Sequence, residues 1–196
     1  MRKNHFGFFI LMVIIASSCE KKEKQNNAYF DSLVVANIDY LTKNNASIIK
    51  YSRIAGKEDT ASFKPDSLAW TSELDVFRQL DAFQKPAFRD AYQVEDGAKD
   101  SQSNLTVRQF KASRPVAIPS IRFYYYQHFD QLKKIEAHYH EANTLYSATR
   151  HLIMEFDERD GKAVLSNYSL DGIQRMILSD SINYSIQSGI SFQTRD

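Results

Sequence analysis

The apolar residues of this chain change their period once, near Leu105, and that change limits the folds open to it. Before it, Phe30, Leu33, Val34, Asn37, Ile38, Leu41, Asn45, Ile48 and Ile49 recur at three- and four-residue spacing. That spacing puts one stripe on a helix from about Ala28 to Tyr51. Gly56, followed by Lys57, Glu58 and Asp59, marks its exit. A second helix is expected behind Pro65-Asp66, because proline suits a first turn and Asp66 or Ser67 can cap free backbone donors. Its apolar face runs through Trp70, Leu74 and Phe77 to Leu80 or Phe83. Lys85-Pro86 interrupts it, and a short helical turn is expected from Ala87 to Tyr92. Glu95 to Asn104 reads as a polar loop.

From Leu105 the period is two. Ile121, Phe123 and Tyr125 alternate with Arg122, Tyr124 and Tyr126, and Leu152, Met154 and Phe156 with Ile153, Glu155 and Asp157. The same alternation runs through Ile135–Tyr139 and Ile182–Phe192. Turn residues separate these runs, and Asp160-Gly161 is the strongest hairpin signal, because both can take positive φ. Strands joined in order by short turns pair antiparallel. The expected fold is therefore α+β, with two to three N-terminal helices packed on a curved antiparallel meander of about six or seven strands. The helical part would span 28–94 and the sheet part 104–193 of one domain, 28–196.

The first residues give an address. Arg2 and Lys3 precede an apolar run from Phe6 to Ala16, too short to span a bilayer, and Ala16-Ser17-Ser18 leads to Cys19, the chain's single cysteine. This segment resembles a bacterial lipoprotein signal with its lipobox, with Ala16 where leucine is commoner. The resemblance implies cleavage of residues 1–18, a diacylglyceryl group on the Cys19 thiol and an acyl chain such as palmitate on the new N-terminus. Several chains together make a stable anchor where one is marginal. Residues 19–27 hold nothing apolar to bury beyond the cysteine and read as a flexible tether. Glu20, rather than aspartate, behind the cysteine implies the outer membrane. The Ser-Ser-Cys start and the Asn- and Tyr-rich body are similar to Bacteroidetes lipoproteins. Lysines interrupting the acids of the tether point to a periplasm-facing protein rather than a surface-facing one.

Without residues 1–18 the chain has 23 basic and 24 acidic residues, which gives no electrostatic argument for a nucleic-acid partner. With 13 Phe and 11 Tyr against 6 Gly and 4 Pro, it can build a core. One cysteine excludes an internal disulfide framework. No Gly-x-Ser-x-Gly elbow, dinucleotide fingerprint or P-loop is present, and no cofactor is implied.

Four constellations remain. Arg122, Tyr124, Tyr126 and His128 form an aromatic and polar stripe that could stack on a sugar ring or line a groove, or simply pack across strands. His138 and His140, at i and i+2 of a strand, share a face at a spacing that can chelate zinc, with His128 or His151 as a third ligand. Glu155, Asp157, Glu158 and Asp160 gather around Arg159 beside a hairpin, where carboxylates are usually solvated. Asp-Ser/Thr-apolar triplets resemble the O-glycosylation acceptor of exported Bacteroidetes proteins, and Asp59-Thr60, expected in a loop, is the best-placed candidate.

Together these features imply a non-enzymatic, membrane-anchored accessory of the cell envelope. Its partner would be an envelope protein or a lipid, and its surface an exposed apolar patch or unpaired sheet edge. A carrier resembling the LolA/LolB type is the alternative and requires an apolar cavity between helices and sheet. A metal-dependent enzyme using His138 and His140 is the third class and requires both to face a pocket.

Overall fold

The computed structural model describes residues 29–177 and 179–192. The signal segment, Cys19 and the tether lie outside them. The described chain holds two α-helices, α1 (Tyr29–Lys43) and α2 (Ser67–Arg78), and nine strands. These are β1 (Ser47–Ile54), β2 (Lys57–Phe63), β3 (Tyr92–Lys99), β4 (Thr106–Ala112), β5 (Ser120–Tyr125), β6 (Leu132–Ala142), β7 (Tyr146–Arg159), β8 (Lys162–Met176) and β9 (Ser179–Ser191). Two short 3₁₀ helices, Gln79–Gln84 and Pro86–Ala91, link α2 to β3. All nine strands form one antiparallel sheet in the order β2-β1-β9-β8-β7-β6-β5-β4-β3.

This overturns the expected fold class. The sheet is the bulk of the molecule, it has nine strands rather than six or seven, and strands interrupt the supposed helical half. Four local causes account for the difference. Asn44 and Asn45 end α1, with Asn45 in the left-handed region at φ 51°, a conformation asparagine tolerates better than most residues. The β-branched Ile48 and Ile49 then open β1 instead of extending the helix. Ala55-Gly56, at φ 50° and 80°, is a two-residue hairpin turn between β1 and β2 rather than a helix exit. β3 escaped the pattern because it is an edge strand exposed on both faces, so it carries no alternation.

α2 begins where its sequence asks: the Asp66 carboxylate accepts from the Ala69 N–H at 2.8 Å. Asp81, in the first 3₁₀ helix, does the same for α1 from a distance in sequence, accepting from the N–H groups of Phe30 and Asp31 at 2.7 and 2.8 Å. Phe30, Val34, Ile38 and Leu41 of α1 and Trp70, Leu74 and Phe77 of α2 join Ile121, Phe123, Ile135, Ala137, Leu152 and Met154 of the sheet in one buried cluster. Each fully buried aliphatic or phenyl group contributes about 1.5–3 kcal/mol. Aromatic rings fill the space between layers, with Phe83–Phe110 centroids 5.1 Å apart and Phe77–Tyr168 5.6 Å apart.

Asn37 sits inside this cluster, 2 % exposed. The β7–β8 register shifts between Glu155 and Phe156, leaving Ser166 outside the ladder. The neighbouring Leu165 N–H is taken by the Asn37 side-chain oxygen at 2.7 Å, while the Asn37 amide donates to Leu33 O at 2.9 Å. A polar residue in the apolar stripe thus locks α1 onto a bulge. No helix among the described residues is long and apolar enough to cross a membrane.

Candidate functional site

On β5, β6 and β7 the residues between the core positions point to the opposite face of the sheet. There, register brings Arg122 opposite Glu136 and His138 opposite both Ser120 and His151. Glu136 is the hub. Its Oε1 accepts from Arg122 at 3.2 Å and from His151 Nε2 at 2.9 Å, and its Oε2 accepts from the Tyr124 hydroxyl at 2.9 Å. His138 stacks on His151, and its Nδ1 lies 3.1 Å from Ser120 Oγ. Lys134 stands over the Tyr124 ring, 4.0 Å from its centroid.

Burial raises the Glu136 carboxyl, but the hydrogen bonds from His151 and Tyr124 and the Arg122 charge outweigh it, so its pKa lies below the ordinary value. Burial, followed by the His151 charge, lowers His138. Burial and the bond to Glu136 push Tyr124 up to about 12. The group is an ionised carboxylate held by three donors, and the chemistry this allows is recognition of charge and pinning of three strands. Ser120 lacks a base oriented by a carboxylate, because His138 contacts the second histidine by its ring face rather than by a hydrogen bond to Glu136.

The structure divides the sequence-predicted stripe. Arg122 and Tyr124 belong to this network, whereas Tyr126 and His128 lie past the end of β5 in the turn to β6, where Gln131 accepts from the His128 N–H. His138 finds His151 across the strands rather than His140 along its own. Among the described residues, no group of three or more His, Cys, Asp and Glu side chains is placed to hold a metal ion. Glu136 was missed as the centre; its position two residues before His138 is the signal that could have found it.

The acidic cluster is also dispersed. Asp160 accepts from Tyr40 at 2.9 Å, Asp157 lies 3.9 Å from Arg159, and the Arg159 guanidinium covers Phe192. Glu155 lines a cleft of about 290 Å³ with Ile153, Asn167, Ser169 and Gln187. The largest described cavity, about 530 Å³, is a groove between α1 and the β7–β8 hairpin, lined by Leu33, Asp39, Tyr40, Lys43 and Lys162 among others. Asn37 and Val164, both buried, also line it, so it opens onto the helix–sheet interface.

Thr60 is in β2 rather than a loop, paired with Tyr51 and exposed. β2 and β3 are the two ends of the sheet among the described residues. They differ in protection. β3 is broken by a register shift at Gly97, φ 88°, and carries Glu95, Asp96 and Lys99. β2 runs in unbroken register with β1, and its second half, Thr60-Ala61-Ser62-Phe63, holds no charge. Phe63 is exposed, and on β1 the exposed Ile49 and Tyr51 lie opposite Ser62 and Thr60. Searches of protein-family models, curated proteins and solved structures find no match to this chain.

Proposed function

We propose that this protein is an outer-membrane lipoprotein of the Bacteroidetes type, anchored through acylated Cys19 and facing the periplasm. It acts as a non-enzymatic accessory that docks an envelope protein along β2. The observation that carries this reading is the uncharged, unbulged half of an edge strand, Thr60 to Phe63, set among exposed apolar side chains. Such an edge offers a row of backbone donors and acceptors to an incoming strand, while its apolar neighbours supply affinity.

The test is site-specific photocrosslinking in the native membrane, with the photoreactive residue at Ser62 on β2 and, as a control, at Val94 on β3. A reproducible protein adduct from Ser62 and none from Val94 supports docking at β2. Equal labelling at both positions, or none at Ser62, sinks it. Intact mass of the recovered chain reads acylation of Cys19 independently, and an additional non-covalent lipid would favour a carrier.

A further inference from the structure

The β8–β9 link breaks a local rule that the other tight hairpins obey. Ala55-Gly56 and Asp160-Gly161 both turn with positive φ and a glycine. β8 ends at Met176 and β9 begins at Ser179, and the described residue between them, Ile177, is aliphatic. Aliphatic residues are poor formers of a two-residue turn, and a local rule broken without gain to the fold points to a use outside it.

The neighbouring hairpin shares the feature. Asn143 caps the β6–β7 turn by accepting from the N–H groups of Leu145 and Tyr146 at 2.8 and 2.9 Å, which frees the Leu145 side chain to project. The Ile177 N–H donates to Leu145 O at 3.0 Å, fastening the two turns into one tip. Leu145 and Ile177 are each 66 % exposed and Met176 53 %. Ile173 and Ile182, a few residues behind, are exposed too, and Arg175 flanks them. At the other end of the same strands, the β7–β8 turn is bordered by Glu158, Arg159, Asp160 and Lys162. The β7–β8 turn thus presents charged side chains, whereas the joined β6–β7 and β8–β9 turns present aliphatic ones between Arg175 and Asp180.

We propose that the joined β6–β7 and β8–β9 turns, carrying Leu145, Met176 and Ile177, enter the surface of a lipid bilayer. Protruding aliphatic groups, with Arg175 and Asp180 set behind them, match the acyl boundary and headgroups of a membrane better than they match a flat protein face. Reach agrees. Tyr29, the first described residue, packs on Phe123, which is level with Ile135 and Met154 across the strands. Leu145 is nine residues further along, at most about 30 Å. Residues 19–28, ten in all, span up to about 33–36 Å. An anchor at Cys19 and this tip can therefore meet one membrane plane. The reach argument rests on the lipid-anchor reading; the aliphatic tip does not.

The test uses the full chain in vesicles of phosphatidylethanolamine and phosphatidylglycerol, with Leu145→Trp as reporter. The native indole, Trp70, is wholly buried and serves as an internal reference. The expected result is a blue-shifted emission of the introduced indole that brominated lipid quenches, lost on adding Ile177→Asp or Met176→Asp. Lys162→Trp, beside the β7–β8 turn, should stay unquenched. Vesicle-bound protein with acylated Cys19 and an unquenched reporter overturns the tip and leaves the anchor standing. A quenched reporter on unacylated protein supports the tip and overturns the anchor. Failure to bind vesicles with Cys19 unmodified overturns both.

Discussion

The imidazole rings of His138 and His151 stack across neighbouring strands, centroids 4.6 Å apart and 18° from parallel. Two protonated rings cannot share that contact without repulsion, which ties the stability of the outer face to pH. His138 is depressed below its ordinary 6.5 by burial and by His151, so protonation opposes folding and stability falls as pH drops below about 6.5. Glu136, also depressed, adds a second loss as pH falls below about 4.5 toward its folded value. Urea midpoints should hold from pH 8 to about 6.5, decline below that, and decline further below about 4.5. His138→Gln should flatten the upper part of that decline and leave the lower part; an unchanged profile would refute the assignment.

Glu73 of α2 binds the sheet at two points, accepting from Tyr168 at 2.6 Å and from Lys50 at 2.6 and 2.9 Å. Burial, reinforced by the bond to Glu73, raises the Tyr168 hydroxyl far above its ordinary range, so it remains a donor. Tyr168→Phe should cost about 1.5–3 kcal/mol, the worth of a hydrogen bond to a charged group. Denaturant titration with an unchanged m-value is the check.

Asn37→Leu is a substitution the helical pattern would welcome, and it should destabilise. It leaves the Leu165 N–H buried without its acceptor, at about 1–3 kcal/mol. Hydrogen exchange should speed at Leu165 more than at its neighbours in β8; equal protection would show that the bulge finds another partner.

Gly172 has Tyr184 Oη and Thr149 O, the latter 2.7 Å away, where a Cβ would stand. Gly172→Ala should cost about 1–3 kcal/mol by overpacking. Tyr184→Ala in the same chain should recover part of that loss, the remainder reflecting the backbone carbonyl. A double-mutant cycle with no coupling would contradict the contact.

The helix beginning at Asp66 and the antiparallel strands from Leu105 onward could be read because each buries one face, and a buried face leaves a period. β2 and β3 were missed because both faces are exposed, so nothing in Lys57–Phe63 or Tyr92–Lys99 repeats. Ile48 and Ile49 misled because they extend the helical spacing of α1 beyond the Asn44-Asn45 stop. His138 and His151 were both named as candidates, but their stacking depends on cross-strand register, which a single strand does not encode.

The place of β1 in the sheet governs when this fold can close. Ser47 pairs with Ser191 and Ile54 with Tyr184, so a hairpin made early in the chain attaches to its last strand. Closure over so long an intervening stretch is slow, and it cannot begin until β9 has been made. A chain released from a translocation channel N-terminus first would keep its β1–β2 hairpin undocked until β9 emerges. Completion of the sheet, and with it the finished β2 edge, is thereby made the last step of folding.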